Sequence, residues 1–163
     1  MKFRKLGFPT EETMSSEAGL MNNQQYQDLR GVDWDTFDAI WDEEPEILTR
    51  IESGDDPYDA ALETETMFLG VDPGVASTVA ALLATGCATM TSCVGGAGHY
   101  EDHPLVVFWC PASLVEIVSA AADDAPGVTL DDNASTGLIV YSAPGDVAAM
   151  RAFAAALARR RRV

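Results

Sequence analysis

The chain of 163 residues is 47% apolar and 22% charged, enough for one ordinary globular core, and its 26 acidic and 10 basic side chains leave a net charge of −16. Between Arg50 and Arg151 there is no lysine or arginine, so the middle of the chain lacks the cations that neutralise phosphates, which argues against nucleic acid as a partner. The longest apolar run, Gly70 to Cys87, is broken by Asp72, Pro73, Ser77 and Thr78, which argues against a membrane span, and three cysteines without an apolar leader fit a reducing, cytoplasmic setting.

Three regions are expected along the chain. Residues 1–32 are polar and without period, and read as an arm with a short helix near Gln24–Leu29. Residues 33–66 read as an acidic helical segment; residues 1–66 together hold 17 acidic and 5 basic side chains. Phe37, Ile40, Trp41, Leu48 and Ile51 fall on one helical face, and Pro45 in their midst predicts two short helices, over 35–43 and 45–53. Gly54-Asp55-Asp56-Pro57 is a stop, with another helical turn or two over Tyr58–Thr66.

Residues 67–163 read as an α/β core domain. Asp72-Pro73-Gly74 predicts a helix start with Asp72 as cap, Val75, Val79, Leu82 and Leu83 as the buried stripe, Ser77 and Thr78 as surface or back-bonded hydroxyls, and Gly86 as the stop. Strands follow over Cys87–Cys93 and Leu105–Cys110, then a helix from Pro111 to about Ala122 with Leu114, Ile117, Val118 and Ala121 inward. Val128–Leu130 and Leu138–Ser142 read as strands, and Pro144-Gly145-Asp146 opens a last helix. The order α-β-β-α-β-β-α, with Thr66–Val71 as a leading strand, predicts an α+β fold. Its form is a two-layer sandwich, ferredoxin-like or related, with a mostly antiparallel sheet and helices on one face. The terminal run Arg159–Arg162 reads as a complement to the negative end of that helix.

All three cysteines (Cys87, Cys93, Cys110) and both histidines (His99, His103) lie between Gly86 and Cys110, around the glycine-rich loop Gly95-Gly96-Ala97-Gly98. Two chemistries are open there. Thiolate and imidazole are natural zinc donors, which makes Cys93, His99 and His103 candidate metal ligands and zinc the candidate cofactor, although the spacing Cys-x5-Cys-x5-His-x3-His-x6-Cys matches no familiar zinc motif. Alternatively Cys93 is a nucleophile, with a nearby histidine such as His99 as its base and Glu101, or its neighbour Asp102, as the carboxylate that orients it. Backbone N–H groups of the loop would then steady the thiolate or an oxyanion, which marks Ser92, Gly95 and Gly96 as ligand-binding positions. Cys87 and Cys110 read as small buried hydrophobes.

The run DPGVASTVAALLATGCATMTSCVGG…HYEDHPLVVFW, residues 69–110 or so, resembles a recurrent group of small bacterial proteins that share Gly-Cys/Tyr-x-Thr-x-x-Ser-Cys-x-Gly, a His/acid loop and an apolar strand. Thr89, Ser92, Cys93, Gly95, His99, Glu101 and Pro104 carry the resemblance, which implies a shared fold and a common site. More distantly, Thr91-Ser92-Cys93-Val94-Gly95 is similar to a Thr-Ser-Ser-Cys-Ser-Gly-Arg motif of the wybutosine-synthesising tRNA methyltransferase family. Gly96 stands where that motif has its arginine, so the tRNA activity is not carried over. The expectation is therefore a Cys/His site that binds a metal or small molecule, with thiol chemistry open to it. The competing expectation is an inhibitor- or immunity-type interaction module, whose acidic 33–66 surface steers a basic protein partner.

Overall fold

The computed structural model describes residues 20–22, 25–27, 31–133 and 137–161. In chain order these form a hairpin, β1 (Leu20–Asn22) and β2 (Gln25–Gln27), then α1 (Trp34–Glu52), α2 (Pro57–Leu62) and α3 (Ala76–Thr85). Next come β3 (Ala88–Cys93), β4 (Leu105–Trp109), α4 (Val115–Asp123), β5 (Val128–Asn133), β6 (Gly137–Ser142) and α5 (Val147–Arg160).

Helix α3 explains the arrangement. Every residue from Ala76 to Leu82 is buried, so the helix has no solvent face and needs neighbours all round. Helices α1 and α5 pack along it and β3 passes beneath it. The sheet has the order β3-β4-β6-β5, antiparallel throughout: two hairpins meet where β4 pairs with β6. Val106, Phe108 and Val140 face the helices in one continuous core with Phe37, Ile40, Ile47, Phe68, Phe153 and Leu157. Leu105, Val107 and Ile139 point the other way into a smaller cluster with Met90 and Tyr141. The α+β two-layer form with an antiparallel sheet is thus the one the sequence predicts, and α1 shares the core of the residues that follow it.

The details differ in several places. Residues 34–52 form one helix despite Pro45. A proline removes the N–H that would bond the carbonyl four residues back, here Trp41. Arg151 of α5 makes up the loss: its Nη2 donates to the Trp41 carbonyl at 3.3 Å while the guanidinium stacks 3.9 Å above the Trp41 ring. Its Nη1 pairs with Glu44, which is wholly buried and also accepts from the Gly74 N–H at 2.9 Å and from the Ser77 hydroxyl. Ser77 and Thr78 are accordingly core hydroxyls rather than surface ones, Thr78 donating to the Met150 carbonyl at 3.0 Å. Glu44 sits at the N-terminus of α3, where exposed N–H groups and the helix dipole favour a carboxylate.

Second, Thr66–Val71 is not a strand. Met67, Phe68, Leu69 and Gly70 all take left-handed φ, from 47° to 71°. The turn is held by Phe68, fully buried, and by the Thr66 hydroxyl, which donates to Glu43 at 2.8 Å and accepts the Phe68 N–H at 3.1 Å. Left-handed φ costs a residue with a Cβ about 1–2 kcal/mol, and glycine's extra unfolded freedom returns about 0.5–1 kcal/mol of any relief. Met67 is half exposed, so Met67→Gly loses little burial. It is expected to raise Tm by about 2 °C in a thermal melt; a lower Tm would show that the turn is unstrained.

Third, α3 begins at Ala76 and not at Pro73, with no side-chain cap. Asp72 is thereby left outside the helix. Fourth, Ile117 lies on the outer side of α4, whose buried residues are Val118 and Ala121. Of the polar arm, Gln25–Gln27 is a strand rather than part of a helix, and most of the rest lies outside the described residues. Two tail arginines bind the protein itself: Arg160 pairs with Asp124 at 2.5 Å and Arg161 with Asp38 at 3.0 Å. No helix among the described residues is long and apolar enough to cross a membrane.

Candidate metal centre

A bulge in β3 decides which side chains reach the loop. Thr89 pairs with Phe108, but after Met90 the register slips, and Thr91, Ser92 and Cys93 pair with Val107, Val106 and Leu105. Opposed residues share a face of an antiparallel sheet. Thr89 and Ser92 therefore both point at the helix layer, each 4% exposed, while Thr91 and Cys93 point to the other face. Ser92, a candidate ligand position, is turned away from the loop, and Cys93 is turned toward it.

Three donors gather there. Among the described residues the group of histidine, cysteine and carboxylate side chains close enough to share one ion is Asp72, Cys93 and His99. The Cys93 Sγ lies 3.6 Å from His99 Nδ1, and Asp72 Oδ2 lies 3.6 Å from the same nitrogen. Each donor is fixed from behind. The Gly95 N–H donates to Cys93 Sγ at 3.3 Å, and the Val94 N–H to Asp72 Oδ2 at 3.2 Å. A loop bond from His99 N–H to the Gly96 carbonyl, 3.1 Å, and another from Gly96 N–H to the Glu101 carbonyl, 3.0 Å, set the turn that carries the imidazole.

Gly95 is needed for its lack of a side chain. Its φ is +78°, and a Cβ there would lie 2.5–2.7 Å from the backbone N, Cα and C of His103. The outgoing and returning arms of the loop therefore come backbone to backbone at this residue. Gly96 also has positive φ, +98°, but open space around it.

The carboxylate that meets His99 is thus Asp72 and not Glu101, whose side chain is outside the cluster. His103 is also outside it. Its Nδ1 is 2.5 Å from Asp102, its ring packs edge-on against Tyr141, and hydrogen bonding to it holds the Asp102 carboxyl below its usual range. His103, Glu101 and Tyr141 line an open groove of about 730 Å³ instead. Sequence reasoning missed Asp72 because Asp-Pro-Gly before an apolar helix is the pattern of a cap. Its 27-residue separation from His99 offered no local signal.

Both chemistries draw on the same three side chains. A nucleophile relay needs the thiol on one imidazole nitrogen and the carboxylate on the other. Here both approach Nδ1. Three donors around a common point are close enough to share one ion, and the 3.6 Å approach of Sγ to Nδ1 also brings a thiol to a base. Zinc bonds of about 2.3 Å to sulfur and 2.0–2.1 Å to nitrogen and oxygen, at tetrahedral angles, separate S and N by about 3.6 Å and N and O by about 3.4 Å. Comparison of the chain with protein-family models, with curated proteins and with solved structures finds no match in any of the three.

Proposed function

We propose that the protein binds one divalent metal ion of the zinc class through Asp72, Cys93 and His99 and offers an open coordination position to water or a small-molecule ligand. The convergence of Sγ and Oδ2 on one imidazole nitrogen supports this most directly. Charge supports it as well: a thiolate and a carboxylate together neutralise a dication, with the imidazole neutral. Three protein ligands leave a tetrahedral ion one place short, which is the arrangement of metal sites that bind or activate something rather than of closed structural ones. His99 and Asp72 keep 31% and 22% of their side-chain surface exposed, so the fourth place is reachable from solvent. The N–H groups of Gly95 and Val94 hold the sulfur and the carboxylate in place, as outer partners of metal ligands do.

The test is titration of the metal-free protein with Zn²⁺, and with Co²⁺ read by its thiolate charge-transfer absorption. One equivalent is expected to bind. Cys93→Ser, His99→Ala and Asp72→Asn should each weaken binding beyond the roughly 10–100-fold that loss of an outer partner costs. His103→Ala should leave it unchanged. Binding that survives His99→Ala, or no thiolate band with Co²⁺, rejects the site; a single fast-reacting thiol at Cys93 in the same metal-free protein would then favour nucleophile chemistry.

A further inference from the structure

The other two cysteines form a second feature at the opposite end of β3. The β3–β4 ladder ends at Ala88 and Trp109; continued by one residue, its register sets Cys87 across from Cys110, and the two thiols are close enough to interact through their side chains. Facing residues of an antiparallel pair have Cα atoms about 4.5–5.5 Å apart, inside the 4.4–6.8 Å window that a disulfide spans. Both thiols turn to the helix side of the sheet, Cys87 within the main core and Cys110 packed against it. Both are free thiols here, Cys87 buried and Cys110 half-buried with its Sγ 3.5 Å from the Pro111 carbonyl. A hydrophobe would serve either position alone. Two opposed thiols, one with access to solvent and one behind it, make an attacking and a resolving pair.

We propose that Cys87 and Cys110 are a reversible disulfide site, oxidised by low-molecular-weight disulfides that enter at Cys110. The Cys110 thiolate attacks one sulfur of the disulfide RSSR, forming Cys110–S–SR and releasing RS⁻. The Cys87 thiolate then attacks the Cys110 sulfur, forming the Cys87–Cys110 bond and releasing the second RS⁻. Each thiolate arises by loss of one proton, so two protein thiols and RSSR give one protein disulfide and two RSH. Burial pushes both thiols above their usual range, and for Cys87 the neighbouring Cys110 adds to the rise. The exchange is therefore slow at neutral pH and quickens as pH rises. Once formed, the bond ties the start of β3 to the end of β4 and leaves Cys93, on the opposite face, free for its own ligands.

Native full-length protein treated with oxidised glutathione at pH 8.5, then acid-quenched, alkylated and digested without reduction, gives the test by mass spectrometry. The expected main product is a Cys87–Cys110 cross-link that a dithiol reverses, with Tm raised by several degrees. In Cys87→Ala the glutathione adduct should remain on Cys110 for want of a resolving thiol. The proposal fails if the unsubstituted protein keeps a glutathione adduct on Cys110, if the cross-link joins Cys93, or if Cys87 and Cys110 stay fully alkylatable after denaturation.

Discussion

Arg151→Met should lower the stability of the protein by roughly 3–5 kcal/mol, the cost of leaving a buried charge without its partner, or about 10 °C in Tm for a chain of this size. Glu44 is fully buried and Arg151 only 15% exposed on its side chain, so neither is rescued by solvent. The arginine also holds the Trp41 carbonyl that Pro45 leaves unbonded and covers the Trp41 ring, so the substitution strikes α1, α3 and α5 together. Urea unfolding reads the loss. Replacing both partners, as Glu44→Leu with Arg151→Met, should recover most of it, because well-packed apolar pairs often match buried ion pairs. A single substitution costing less than about 1 kcal/mol would place the pair among ordinary surface bridges.

The second large effect is expected at the loop. Gly95→Ala demands a left-handed φ of a residue with a Cβ and drives that Cβ into the His103 backbone, which is not the end of a flexible side chain and has little room to yield. The two arms of the loop must part, taking the Gly95 N–H from Cys93 and shifting His99. Metal affinity is expected to fall at least about tenfold and stability by about 2–4 kcal/mol. Gly96→Ala is the control: it carries the same backbone strain without the collision, so it should cost only about 1–2 kcal/mol. Equal losses at the two glycines, measured by zinc titration and thermal melts, would show that the close approach is unimportant.

What the sequence made legible was everything governed by local pattern. The strands Ala88–Cys93 and Leu105–Trp109, the helix ending at Gly86 and the helix capped by Asp146 follow from periodicity, turns and caps, and the Asp146 carboxylate does accept the Ala149 N–H at 3.0 Å. The loop that holds Cys93 and His99 was marked by its composition. What escaped was settled by partners distant in sequence. Pro45 breaks a helix only if nothing else serves the Trp41 carbonyl, and the group that serves it lies 110 residues away. Ser77 reads as a surface residue until Glu44 is placed behind it. Thr66–Val71 has the composition of a strand, yet Phe68 is drawn into the core by a left-handed turn that no propensity favours. Asp72 was visible as an acidic cap, but its neighbour His99 becomes apparent only when β3 and its loop are folded back over it.

The extra residue at Met90 gives the site an arithmetic of its own. Side chains of a strand change face at each step, so the parity of the count from Thr89 decides whether serine or cysteine looks outward. With the bulge, Ser92 is inside and Cys93 outside. A chain with the same letters Thr-Ser-Cys, the same glycines and both histidines, but a regular strand in place of the bulge, would set Met90, Thr91 and Ser92 opposite Val107, Val106 and Leu105, and so display a hydroxyl while hiding its thiol beneath the helices. Relatedness judged by motif alone would count the two chains as equals. The feature that distinguishes them is the bulge itself, a change of pairing with β4 that the letters of the motif do not record.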